Sequence, residues 1–173
     1  MTQTLWRSAS TLAALWVVFL IAGCATQKSA IAVFESEKHW SGRLLLKADT
    51  QPPTQVSAVF DLHGSARQGR LALSTPLGTT LATAHWQPGV AELRGMGDPK
   101  VFATLDELTE AMTGTRLPVA ALFAWLDGQP QTADGWLADL EQVPAGRLNA
   151  RRVTPPPLAE IRLVFEPSKQ LTP

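Results

Sequence analysis

The stretch Gln55–Arg94, QVSAVFDLHGSARQGRLALSTPLGTTLATAHWQPGVAELR, carries the clearest structural signal in the chain. Within Gln55–Leu62 the side chains alternate. Val56, Ala58, Phe60 and Leu62 share one face, and Ser57, Val59, Asp61 and His63 share the other. That period of two belongs to a strand with one buried face. Gly64–Gly69 reads as a turn, and Arg70–Ser74 returns as a strand. Thr75-Pro76-Leu77-Gly78 is a tight turn into a strand over Thr79–Trp86, and Gln87-Pro88-Gly89 turns into Val90–Arg94. Short strands joined by tight turns predict an antiparallel meander.

Working outward, Ser41–Ala48 reads as a preceding strand, followed by a polar, proline-containing turn at Asp49–Pro53. Before it, Ile31–Trp40 reads as a first helix with Ala32, Phe34, His39 and Trp40 facing inward. After the meander the period changes. Thr104 with Glu107 three residues later forms a capping box, Leu105, Leu108, Ala111 and Met112 fall on one face, and Gly114 stops the helix. Pro118 opens a further helix with apolar positions Ala121, Leu122, Trp125 and Leu126, closed by Gly128. Strands return at Gly135–Val143, Gly146–Val153 and, beyond the Pro155–Pro157 break, Glu160–Glu166. In the last, Ile161, Leu163 and Phe165 share a face while Arg162 and Val164 point away. The expected class is mainly β with inserted α-helices, the antiparallel sheet curling around the helices it must cover.

The N-terminus speaks to compartment. Arg7 precedes the apolar run Leu12–Ala22, which has the length of a signal-peptide core and is short for a membrane span. It ends in Ile21-Ala22-Gly23-Cys24, the pattern of a lipobox, although a short anchor helix ending in Gly-Cys would read similarly. The expectation is a removed signal peptide over residues 1–23 and a lipid on Cys24. A tether and first helix follow over 24–39, and a periplasmic domain over 40–173. Ala25 rather than Asp after Cys24 points to the outer membrane. Cys24 is the only cysteine, so no internal disulfide and no thiol nucleophile is expected.

Composition narrows the function. Fifteen Lys and Arg balance fifteen Asp and Glu, and no basic stripe supports nucleic acid or anionic headgroups. His39, His63 and His85 are far apart in sequence with no metal-ligand spacing, so no metal site is expected. Gly64–Gly69 lacks the lysine and following helix of a phosphate loop, and no Gly-x-Ser-x-Gly elbow exists. Asp106, Glu107 and Glu110 read as the solvated face of a helix. Neither an enzyme nor a cofactor is expected.

Two features remain. Hydrophobic residues make up 45% of the chain, with tryptophans at Trp40, Trp86, Trp125 and Trp136 beyond the leader. They suit either an ordinary core or a curled sheet whose concave face is left partly unfilled for a ligand. Leu77, between Pro76 and Gly78 at a hairpin tip, either folds back onto the core or stays exposed for contact.

Several segments, taken in order, resemble the LolB family of outer-membrane lipoprotein receptors. They are Trp40-Ser41-Gly42-Arg43-Leu44, Leu71-Ala72-Leu73-Ser74-Thr75-Pro76-Leu77-Gly78 and Gly114-Thr115-Arg116-Leu117-Pro118-Val119, then Leu122, Trp125, Leu126, Gly128, Pro130 and Gly135-Trp136. The resemblance spans most of Trp40–Phe165. This chain departs from the family in its short strand connections, including Arg151–Leu158, and in ending its last strand at Phe165-Glu166 where many relatives carry a tryptophan. The resemblance implies a LolA/LolB-like half-barrel of about eleven antiparallel strands, capped by helices and enclosing a hydrophobic cavity. It implies a monomeric receptor that takes the acyl chains of cargo lipoproteins from the periplasmic carrier LolA. The receptor inserts them into the inner leaflet of the outer membrane. The loop Pro76, Leu77 and Gly78 would act at the bilayer, and Leu44, Leu46, Phe60, Leu73, Trp125 and Leu163 would line the cavity. The alternatives are a scaffolding envelope lipoprotein without a ligand, or a binder of another lipid on the same fold.

Overall fold

A computed structural model describes residues 38–95 and 97–166. The leader, Cys24, the tether and the body of the expected first helix lie outside these residues. Nine strands form one antiparallel sheet: β1 His39–Ala48, β2 Thr54–Gly64, β3 Gly69–Ser74, β4 Thr80–Gln87, β5 Val90–Arg94, β6 Lys100–Phe102, β7 Trp136–Asp139, β8 Arg147–Arg152 and β9 Ala159–Phe165. Two helices, α1 Leu105–Thr113 and α2 Val119–Leu126, are inserted between β6 and β7. The spatial order is β6-β5-β4-β3-β2-β1-β9-β8-β7. The meander therefore grows from β1 in one direction, and after the helices the chain returns to lay β9 along the other side of β1. β6 and β7 end the sheet without pairing to each other, so the barrel is curled but unclosed.

The alternation read from Gln55–Leu62 is the buried pattern of β2, in which Ala58 and Phe60 are core residues. β9 behaves likewise, burying Ile161, Leu163 and Phe165 and exposing Arg162 and Val164. β1 takes ladders on both sides: Leu44 faces Ala58 of β2 and Leu163 of β9, and Gly42 faces Phe60 and Phe165. The helix boundaries also follow local chemistry. Thr104 Oγ1 accepts from Glu107 N at 3.2 Å, Glu107 Oε2 accepts from Ala103 N at 3.1 Å, and Gly114 closes α1 at φ +72°.

Four expectations change, and one strand is added. His39 and Trp40 belong to β1, because pairing opposite His63 and Leu62 satisfies backbone groups of β2 that a helical turn there would leave open. The strand over Gly135–Val143 shortens to β7. Asp139 Oδ1 accepts from Glu141 N at 3.0 Å, and Pro144, which has no N–H for a ladder, sits in a 3-10 turn over Val143–Ala145. Ala111 turns to solvent and Thr109 takes its place on the inner face of α1. The short strand β6 was not legible, since three residues are too few to show alternation. The strand count among the described residues is nine, not about eleven, because the brief connections leave no further extended segment.

Candidate functional site

The concave face of the sheet and the two helices enclose an apolar cavity of about 360 Å³. Leu44 and Leu46 of β1, Phe60 of β2, Leu73 of β3 and Leu163 of β9 form its wall, five of the six side chains expected there. Leu105, Leu108 and Met112 of α1 cover one part. Val119, Leu122, Phe123 and Leu126 of α2 cover another, at positions i, i+3, i+4 and i+7 of a single helical face.

Trp125, the sixth, is not on the wall. It is 2% exposed, packs on the opposite side of α2 with Ala121, and its Nε1–H donates to Gln131 O at 2.9 Å. α2 is apolar all round, VAALFAWL, so its period does not distinguish the cavity side from the core side. An indole also needs an acceptor for its N–H, and the loop after the helix supplies one. Trp86, not expected in the lining, is part of it. Phe123 packs edge-on to Trp40 at 5.5 Å between ring centroids and tilted against Trp86 at 6.4 Å. The Trp86 N–H turns outward, donating to Ser65 O at 2.9 Å.

Among the described residues the cavity lining has only two polar members, Thr109 and Thr113, and neither offers its hydroxyl inward. Thr109 Oγ1 donates to Asp106 O at 2.9 Å. Thr113 Oγ1 lies 2.7 Å from Thr109 O and 2.8 Å from Thr115 O. What faces the cavity is therefore hydrocarbon. With no polar group to orient a ligand, the site selects for apolar surface alone.

The hairpin between β3 and β4 projects beyond this wall. Gly78 N–H donates to Thr75 O at 2.9 Å and Thr75 N–H to Thr79 O at 2.8 Å. Gly78 takes φ +88°, so the loop is a turn closed by a residue in the left-handed region. A Cβ on Gly78 would meet nothing within 4 Å, so backbone conformation alone calls for glycine there. Pro76 fixes the approach and Leu77 is 95% exposed at the tip.

At the base of the same hairpin the β3–β4 register slips. Leu73 pairs with Ala82 but Ser74 pairs with Thr80, which leaves Leu81 as a bulge residue. Strand alternation would send Leu81 outward, since Ala82, Ala84 and Trp86 are the buried set. The bulge turns it to the cavity rim, where it lines the pocket and stays 38% exposed. Leu81 had no signal in the sequence, because a bulge is defined by two strands together.

Away from the cavity, the histidines read as far apart are brought together. The β1–β2 register sets His39 opposite His63, and Asp61 lies between them. Burial raises the Asp61 carboxyl, but the hydrogen bond from His39 and the charges of the two histidines outweigh it, leaving the group below its ordinary value.

Comparison with known proteins gives a consistent answer. The family model described as Outer membrane lipoprotein LolB matches residues 37–152. The chain is 33% identical over 141 residues to the outer-membrane lipoprotein LolB of Dechloromonas aromatica, covering 77% of this chain and 71% of that one. It is 32% identical over 167 residues to the protein of that name from Shewanella baltica strain OS155, covering 91% and 74%. It is 30% identical over 118 residues to that of Shewanella denitrificans, covering 64% of this chain and 57% of the relative.

Proposed function

The chain belongs to the LolB family of outer-membrane lipoproteins, and from that premise we propose that it is a receptor. In this reading it takes the acyl chains of lipoproteins from the periplasmic carrier LolA and inserts them into the inner leaflet of the outer membrane. A leader over residues 1–23 would be removed and Cys24 would carry the lipid that holds the 40–173 domain, a monomer, at the periplasmic face.

The observation that carries the reading is the all-hydrocarbon cavity beneath α1 and α2, with both lining hydroxyls bonded to backbone. An acyl chain leaving water gains about 0.8 kcal/mol per methylene, so cargo with several chains has to pass from host to host without exposure. A site with no polar anchor suits that task. It holds the chain by area rather than by a fixed register, and a chain so held can slide out again.

Leu77 supplies a second part. One leucine buried in a bilayer gains about 1.5–3 kcal/mol, enough for a reversible touch and too little to anchor. The rim residue Leu81 lies between the cavity and this tip and would keep the route between them apolar.

The test is a transfer assay. The chain is mixed with carrier loaded with a labelled lipoprotein and then recovered. Label on the chain supports the receptor reading. Absence of label on folded chain, with a carrier that serves another receptor, overturns it and refers the cavity to a different lipid.

A further inference from the structure

On the face of the sheet turned away from the cavity, His39 opens β1 and stands directly opposite His63 of β2. Their rings stack with centroids 4.0 Å apart and planes 16° from parallel. Asp61 lies two residues before His63, hence on the same face. Its Oδ2 is 2.9 Å from His39 Nε2 and its Oδ1 is 2.7 Å from His63 Nε2. Two imidazole nitrogens and a carboxylate thus converge within 4.8 Å of one another. We propose that His39, Asp61 and His63 form a binding site for a zinc-class divalent cation, with a fourth coordination position open to water or to a partner's ligand.

The chemistry of the donors sets the class of ion. Two imidazoles with one carboxylate suit zinc and its first-row neighbours, whereas magnesium and calcium prefer an all-oxygen shell. Tetrahedral donors at zinc's usual bond lengths lie about 3.3 Å apart, so each Asp61–imidazole distance has to open by about half an ångström. A cation lies in the plane of each ring that binds it, so one of the two stacked rings also has to turn, and the exposed His39 ring has solvent to turn into. The three residues are held by the β1–β2 ladder, and β2 is paired on its other side with β3. Little chain ordering is left to oppose binding.

One neighbour opposes it. Arg70 of β3, opposite His63 in the ladder, places Nη2 3.2 Å from His63 Nε2. Its side chain is exposed and has solvent to swing into, so an arriving cation displaces it. Ligation also requires each Nε2 to present its lone pair to the metal, with any ring proton on Nδ1. His85 continues the same cross-strand row one strand further, opposite Arg70, and is out of ligating reach of Asp61. The occupied site would tie the first residue of β1 to the adjacent strand at the point where the chain enters the sheet.

The experiment is calorimetric titration of the full-length chain in detergent micelles, free of any polyhistidine tag and stripped with chelator, using zinc chloride. One zinc per chain is expected, undisturbed by excess magnesium. His39→Ala, His63→Ala and Asp61→Asn should each weaken binding by about tenfold or more, and His85→Ala should leave it unchanged. Arg70→Ala should strengthen binding, because it removes the positive charge beside His63. Cobalt in place of zinc should give the intense visible bands of a low-coordinate site in the parent chain and lose them in His63→Ala. No saturable zinc binding, binding that survives all three ligand variants, or equal loss in His85→Ala overturns the proposal. Asp61→Asn keeps the side chain's shape, so a folding defect cannot account for its effect. None of these readouts passes through lipoprotein transfer, so the site and the receptor reading stand or fall separately.

Discussion

Leu73 and Leu77 are four residues apart and meet opposite solvents. Leu73 is 5% exposed on the cavity wall, and Leu77 is 95% exposed on the hairpin tip. Because Leu77 is 95% exposed, Leu77→Glu should change the unfolding free energy by no more than about 0.5 kcal/mol, the range of surface substitutions. It should accept lipoprotein from the carrier and fail to release it into liposomes. Normal insertion by that variant would remove the loop from the mechanism. Gly42 is the contrasting case, a residue that matters to stability alone. A Cβ there would sit 2.0 Å from Val164 O and 2.7 Å from Phe165 Cα, so β9 lies against bare backbone. Gly42→Ala must push β1 and β9 apart and should cost about 1–3 kcal/mol, as overpacking does, read as a lower urea midpoint. Leu77 at a turn between Pro76 and Gly78 is recognisable from the chain alone. The demand on Gly42 is not, since the atoms it accommodates come from a segment more than a hundred residues away.

Among the elements, β4 shows how a small irregularity redirects a side chain. The bulge at Leu81 breaks the alternation that otherwise governs Ala82, Ala84 and Trp86, and places a leucine on the rim between cavity and hairpin. Leu81→Glu should weaken uptake of a fluorescent fatty acid, because a carboxylate at the rim must lose its water as the chain passes. The cost to the fold should be small, because the residue is already partly exposed. A variant that takes up the probe as the parent does would place the entrance elsewhere. The helices divide differently. α1 is announced by Thr104, Glu107 and Gly114, whose hydrogen bonds reach only neighbours in the chain. The inner face of α2 is not announced, because all eight of its residues are apolar and only contact with the sheet selects Leu122, Phe123 and Leu126 over Trp125.

Among the described residues, the unclosed sheet carries two edges. Both are short: β6 has three residues, including Lys100, and β7 has four. Short edges with a charge offer little template for pairing with another chain. The curl that leaves those edges open also leaves the concave face larger than two helices can fill. Unfilled apolar surface of this kind should cost stability, and Ala84 on the cavity wall is a place to measure that cost. Ala84→Phe should fill part of the space. Binding of an apolar dye such as ANS should fall, while the melting temperature should hold or rise by the equivalent of about 0.5–2 kcal/mol. Dye binding equal to the parent's would mean the dye reports another surface.

Whatever depends on near neighbours is legible in the amino-acid sequence. The alternation of Val56, Ala58, Phe60 and Leu62 makes a one-faced strand, Thr104 and Glu107 cap a helix, and Pro76 and Gly78 hold Leu77 at a tip. In each case the steric and hydrogen-bonding terms act over a few residues. Whatever depends on register emerges only in the folded chain. The pairing of β1 with β2 set His39 against His63 and Asp61, the slip between β3 and β4 turned Leu81 to the rim, and the sheet chose the face of α2. Register is fixed by the summed burial and hydrogen bonding of whole strands, so no short segment carries it.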